Sequence, residues 1–238
     1  MNPAWIDGEM PLEVYHHEHP DDPELKKLET AKSMFVSMVA HEVKNPLAAT
    51  EGWLNLLLSG MVKQDPAEER HMIERSLLRI RTLRTLVSEL LNITAIQTGN
   101  FTLRRAPLEL APVVRDAVES LREKAQERQI QLSLREPAQA EASVRTLADR
   151  DALQMILSNL IENAIKYTPE KGRVEVSLQT GEHYLAVGVQ DTGIGLGPEE
   201  AERVFDEFYR AKNEYTANVP GTGLGLSLCK RLAELHEG

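Results

Sequence analysis

The sequence predicts an α plus α/β protein: a long helical hairpin, then a compact domain of interleaved helices and strands. Three observations carry that expectation. Two extended stretches repeat apolar residues at helical spacing, a Ser59-Gly60 break and an Asp65-Pro66 restart lie between them, and after Pro107 short alternating runs mix with amphipathic ones.

The first stretch starts at Pro23 and carries Phe35, Met38, Val39, Val43, Leu47, Leu54, Leu57 and Leu58 at helical spacing. Asp65 is placed to cap the second helix and Pro66 to open it, since the missing N–H of proline is no loss in a first turn. Met72, Ile73, Leu77, Ile80, Leu83, Leu86, Val87, Leu90 and Leu91 continue the pattern, which ends at Thr98-Gly99-Asn100. Each helix has a broad apolar stripe, and a lone hairpin cannot bury both. Pairing two hairpins into a four-helix bundle satisfies them, so residues 25–100 are expected to form a homodimer. Residues 1–24 are polar and punctuated by proline, and read as a linker whose His16, His17 and His19 are solvated.

Past a boundary near residues 99–106, Val113–Gln129 is expected as one amphipathic helix and Ile130–Leu134 as an alternating strand. Ala152–Tyr167 reads as a helix stopped by Thr168-Pro169. Arg173–Leu178 and Tyr184–Gln190 read as strands around Thr180-Gly181, and a last helix follows the second of two Gly-rich loops. The second domain is thus expected over residues 105–238.

Composition narrows the function. The chain has 238 residues, 42% hydrophobic and 27% charged, as in ordinary globular proteins. Its net charge of −10 argues against binding nucleic acid or an anionic membrane through bulk charge. One cysteine excludes an internal disulfide framework and a cysteine-rich zinc site. The apolar runs are far shorter than the roughly 20 residues that cross a bilayer, and Met1–Met10 lacks the charge pattern of a signal peptide. A soluble, cytoplasmic segment without membrane contact is the expectation, and it is compatible with a larger, membrane-bound parent protein.

Four clusters can carry chemistry. His41 opens the run His-Glu-Val-Lys-Asn-Pro-Leu and, at helical periodicity, projects away from the stripe of Phe35, Val43, Pro46 and Leu57. Glu42 is adjacent and Asn45 one turn on, while Pro46 is expected to kink the helix. A solvent-facing histidine beside a carboxylate can act as a nucleophile; on its own the pair is usually a solvated helix face. Asn159, Asn163 and Lys166 share one helical face, and carboxamide oxygens suit Mg²⁺, which keeps waters and substrate phosphates as its other ligands. Asp191-Thr-Gly193-Ile-Gly195-Leu-Gly197 follows a strand and offers an acceptor for an exocyclic amine. Gly221-Thr-Gly223-Leu-Gly225-Leu opens the last helix, where amides and the helix N-terminus can meet phosphate. Phe205 and Phe208 read as core or lid packing, and Arg210 is available to phosphate.

In this order the segments resemble the transmitter core of two-component sensor histidine kinases. His41 to Leu47 resembles the family's histidine box, Asn159 to Pro169 its asparagine box, and Asp191 to Gly197 its first glycine box. Phe205 to Phe208 matches the phenylalanine box and Gly221 to Leu226 the second glycine box. The resemblance implies a dimerisation and phosphotransfer hairpin, then an ATP-binding α/β sandwich of the gyrase, Hsp90, kinase and MutL (Bergerat) type. By position it makes His41 the phosphoacceptor, Glu42 its general base, and Asn45 the residue orienting water during dephosphorylation of a response regulator. It makes Asn163 a Mg²⁺ ligand, and Asn159, Lys166 and Tyr167 part of the ATP site. Asp191 would meet the adenine amine with Gly193 and Gly195 beside it, Arg210 would meet the γ-phosphate, and Gly221, Gly223 and Gly225 would surround the phosphates.

The implied activity is autophosphorylation from ATP and transfer to an aspartate on a response regulator receiver domain, with phosphatase activity. The family continues beyond the last helix with a Gly-rich strand hairpin, whereas this chain stops at His236-Glu237-Gly238; a truncated sheet with an uncovered edge is therefore expected. That ending favours a second reading, a non-catalytic dimeric scaffold that binds nucleotide or a receiver domain. An ATPase of the gyrase type explains the Asn and Gly motifs but leaves the His41 hairpin unexplained.

Overall fold

The computed structural model describes residues 23–60, 65–136, 145–181, 184–211, 215–216, 219 and 221–238. Most of the expected linker, with its histidine cluster, lies outside the described residues. Two compact units, Met1–Ile80 and Arg81–Gly238, divide the chain.

The first unit is built from helix α1, Pro23–Leu58, and the opening turns of α2, Pro66–Gln97. Gly60 takes a left-handed backbone (φ 65°) just after α1, a conformation open to glycine at no steric cost. Asp65 caps α2 as expected, its carboxylate accepting the Ala67 N–H at 2.9 Å. Helix α1 continues through Pro46, and the Thr50 hydroxyl donates to the Pro46 carbonyl at 2.8 Å. Trp53 and Arg79 join the two helices by a cation–π contact of 5.9 Å. Leu47, Leu54, Leu56, Ile73, Leu77 and Ile80 all remain exposed, and Leu58 is 85% exposed.

The second unit begins inside α2 at Arg81 and then runs through β1 (Ala106–Glu109), α3 (Leu110–Ser120), α4 (Arg122–Glu127) and β2 (Gln131–Arg135). It continues with β3 (Arg145–Ala148), α5 (Arg150–Tyr167), β4 (Arg173–Thr180), β5 (Leu185–Asp191), α6 (Pro198–Arg203) and α7 (Gly225–Leu235). The main sheet has the order β2-β4-β5, with β2 parallel and β5 antiparallel to the central β4. Among the described residues β5 pairs only with β4. Strands β1 and β3 form a separate antiparallel pair.

Helices α3 and α5 cover one face of the sheet. Val113, Val114, Ala117 and Val118 of α3 and Leu157, Ile161, Ala164 and Ile165 of α5 meet Leu132, Val174, Val176 and Leu178. This two-layer sandwich is the fold that the resemblance implies. One expectation needs correction: the single helix over Val113–Gln129 starts earlier, at Leu110, and breaks at Leu121 (φ −108°, ψ 1°). The break lets buried Leu121, Ala125 and Ile130 all reach the core.

Asp149 fixes the start of α5. Its carboxylate accepts the N–H groups of Asp151 (2.9 Å), Ala152 (3.1 Å) and Arg104 (2.7 Å), and its own N–H donates to His236 Nε2 at 3.1 Å. Burial works to raise this carboxyl, but the hydrogen bonds from Arg104, Ala152 and Asp151 outweigh it and hold it below its usual range. Ile161, fully buried at the centre of the sandwich, carries much of the packing. Ile161→Ala is expected to lower the unfolding free energy of the second unit by about 3 kcal/mol, read from urea unfolding of the purified chain.

Candidate functional site

On α1 the structure brings His41, Glu42 and Asn45 together. The His41 side chain is 72% exposed, and its Nδ1 lies 3.9 Å from Glu42 Oε1 and 3.2 Å from Asn45 Nδ2. Val43, Pro46 and Leu57 are half-buried, so the ring projects on the wet side of the helix as its spacing predicts. The two neighbours of Nδ1 ask for opposite tautomers. An amide N–H from Asn45 needs a lone pair on Nδ1 and so places the ring proton on Nε2. A carboxylate needs Nδ1–H, which leaves the lone pair on outward Nε2 and makes that nitrogen the nucleophile.

In the second unit, α5 presents Asn159, Asn163 and Lys166 on the face opposite its buried Leu157, Ile161, Ala164 and Ile165. The loop leading into α7 lies directly on that face. A Cβ on Gly221 would stand 2.5 Å from Lys166 Nζ, and one on Gly225 2.5 Å from Asn159 Oδ1. A side chain at either position would push the Lys166 ammonium or the Asn159 carboxamide aside. Gly223 turns through φ 74° against the backbone of Phe208, whose N–H donates to the Gly223 carbonyl at 3.0 Å.

Asp191, at the end of β5, accepts the Gly193 N–H at 2.8 Å. A Cβ on Gly193 would come within 2.6 Å of the Tyr167 carbonyl oxygen, which itself accepts the Ile194 N–H at 3.2 Å. The first Gly loop is thereby stitched to the C-terminal end of α5. Gly195 follows with φ 68°. Tyr167 stacks under Lys166, with Nζ 4.9 Å from the ring centroid.

Arg210 is turned inward. Its guanidinium donates to the carbonyls of Gly221 (3.1 Å), Thr216 (3.3 Å) and Val219, so it holds the loop ahead of α7. The Asn163 carboxamide makes no hydrogen bond among the described residues. Lys166 is pushed down to about 8, first by burial and then by the nearby cations Arg210 and Lys124, with Glu162 and Glu89 opposing.

Comparison with known proteins decides the family. Residues 31–99 match the His Kinase A (phospho-acceptor) domain, and residues 148–238 match the histidine kinase-, DNA gyrase B- and HSP90-like ATPase domain. The chain is a histidine kinase transmitter core, a phospho-acceptor domain followed by an ATPase domain. It is 29% identical over 92% of its length to the sensor-like histidine kinase SenX3 of Mycobacterium tuberculosis, covering 52% of that protein. An uncharacterised sensor-like histidine kinase of Rhizobium meliloti is 35% identical over 87% of this chain, which covers 39% of it. The kinase core thus spans about half the length, or less, of these relatives. In fold it resembles histidine kinase ThkA, solved in complex with the response regulator protein TrrA (TM-score 0.68, 22% identity, 97% of this chain and 62% of that one). It also resembles Acinetobacter baumannii AdeS (TM-score 0.64, 21% identity, 81% and 85%).

Within this kinase core the residues suit a nucleotide-borne Mg²⁺. No cluster of three or more His, Cys, Asp or Glu able to hold a metal occurs among the described residues. The unbonded Asn163 carboxamide is the kind of single oxygen donor that a hydrated, phosphate-bound Mg²⁺ uses. No described helix is long and apolar enough to cross a membrane.

Two groups escaped the sequence reading. The Tyr215 hydroxyl lies 3.3 Å from the Thr168 carbonyl and accepts from Arg128, which also donates to the Lys166 carbonyl at 3.0 Å, so both side chains cap the end of α5. Glu89 of α2 is buried and accepts the Thr222 hydroxyl at 2.6 Å. A signal for Glu89 was present: it falls three residues after Leu86 and four before Ile93, on the buried stripe of its helix.

Lys166 is cationic below about pH 8, so an anion at this face is held best on the acid side of that value. The affinity for ADP is expected to fall about tenfold between pH 7 and 9, and the fall to disappear in Lys166→Met, as read by titration calorimetry.

Proposed function

We propose that this chain is an ATP-dependent protein-histidine kinase that phosphorylates its own His41 and passes the phosphoryl group to an aspartate on a response regulator. The observation that carries the reading is the pairing of a solvent-facing His41, flanked by Glu42 and Asn45, with an asparagine-lysine helix face under a Gly-rich loop in the same chain. Residues 25–100 are assigned to dimerisation and phosphotransfer and residues 105–238 to nucleotide binding. The exposed Leu47, Leu54, Leu58, Ile73 and Leu77 support a homodimer, in which a second hairpin covers them.

The chemistry follows from the side chains. His41 Nε2 attacks the γ-phosphorus of ATP; the N–P bond forms as the bond to the β,γ-bridging oxygen breaks, and ADP leaves. Glu42 takes Nδ1–H as its partner, which keeps the lone pair on Nε2 and stabilises the charge that builds on the ring. Asn159, Lys166 and Tyr167 line the nucleotide site, Asp191 accepts from the adenine amine, and Gly193 and Gly195 let the chain approach the base. Asn163 is assigned as the protein ligand of Mg²⁺, which when bound neutralises phosphate charge. Gly221, Gly223 and Gly225 bring amides close to the phosphates, and Arg210 becomes a γ-phosphate contact on releasing its three carbonyls. Asn45 orients water when the same surface dephosphorylates the regulator, which makes the enzyme bifunctional.

After incubation with ATP labelled at the γ-phosphate, the chain is expected to carry an acid-labile, alkali-stable label. His41→Gln is expected to abolish it and Asn163→Ala to reduce it at least a hundredfold, measured on denaturing gels. Label that survives His41→Gln would contradict the assignment.

A further inference from the structure

Glu89 takes no part in the reaction described above, yet it sits at the mouth of the Gly-rich loop. Its carboxylate is buried, accepts the Thr222 hydroxyl at 2.6 Å, and has its other oxygen 3.6 Å from where a Cβ on Gly225 would stand. Thr222 in turn accepts the Leu224 N–H at 3.2 Å. An amide at the opening of α7 is therefore spent on a hydroxyl, and that hydroxyl on a carboxylate. The same loop lies on Asn159 and Lys166. A cleft of about 590 Å³ between α2 and α5, lined by Arg84, Ser88, Glu89, Asn92, Ser158 and Asn159 among others, opens beside this contact.

A helix N-terminus favours one anion, and two anions there repel each other. We infer that Glu89 is an internal competitor of the nucleotide's phosphates, latching the Gly221–Gly225 loop shut through Thr222 until a polyphosphate displaces it. The inference rests on the reading that this loop receives the phosphates of ATP. Because Glu89 belongs to α2, the latch gives the second hairpin helix a direct hold on the nucleotide loop. Glu89 is a positioning residue: it controls where the loop lies and touches no reacting atom.

The charges facing Glu89 set its pH dependence. Burial raises the carboxyl above its ordinary range, while the Thr222 hydrogen bond and then Lys166 of α5 lower it, and Glu162 of α5 raises it again. Arg84 on its own helix lines the same cleft, and the Cys229 thiol on α7 is held un-ionised by burial first and then by Glu89. Protonation removes the competing charge, so the latch weakens on the acid side.

The test is calorimetric titration of Mg²⁺-ADP into the 238-residue chain, Glu89→Gln, Thr222→Val and the double variant, at pH 5.5 to 7.5. Glu89→Gln keeps the shape and removes the charge, and is expected to tighten ADP binding about fivefold at pH 7.5, with the gap to wild type closing toward pH 5.5. Thr222→Val is expected to shift binding in the same direction, and the double variant to bind no tighter than the better single one. Equal or weaker binding by Glu89→Gln at matched melting temperature would overturn the latch while leaving the nucleotide site standing. No ADP binding by wild type and Glu89→Gln alike would overturn the nucleotide reading itself.

Discussion

Everything in the second unit depends on one helix having two incompatible faces. The core needs Leu157, Ile161, Ala164 and Ile165 of α5 against the sheet, and at 3.6 residues per turn that requirement turns Asn159, Asn163 and Lys166 the other way. The Asp149 cap fixes where the helix starts, and the Tyr215–Arg128 pair holds where it ends. A rigid rod with a polar stripe results. The two Gly loops lie close on that stripe: Gly193 leaves space for the Tyr167 backbone, and Gly221 and Gly225 let the chain sit against the Lys166 ammonium and the Asn159 carboxamide.

Such a face solves an electrostatic problem. The protein carries a net charge of −10, so it cannot attract a polyphosphate through its bulk field. Positive character is concentrated instead where Lys166, Arg210 and the opening amides of α7 converge. The crowding of cations is visible in Lys166, whose ammonium is destabilised by burial and by its neighbours. A bound polyphosphate would relieve that stress, which converts an unfavourable apo arrangement into binding energy.

The helices and the motif positions were legible from the sequence because periodicity and caps report on local geometry. Pro23–Leu58 and Pro66–Gln97 end where Gly60 and Gly99 take left-handed backbones, and Asp65 and Asp149 announce their helices. The short pair β1–β3 and the break at Leu121 were illegible, since both are decided by long-range packing that no four-residue window records. The carbonyl-bound state of Arg210 and the Glu89–Thr222 bond are tertiary facts: each joins segments far apart in sequence. A charge on an apolar stripe was the one trace of the second in the primary structure.

His41 poses the sharpest question, because Asn45 and Glu42 compete for one ring nitrogen and only one outcome leaves a nucleophile facing outward. The most direct measurement is nitrogen-15 NMR of the chain labelled at histidine, recorded after incubation with Mg²⁺-ATP. The account predicts a phosphorylated Nε2 on His41 with the proton retained on Nδ1; phosphorylation at Nδ1, or on any other residue, would contradict it.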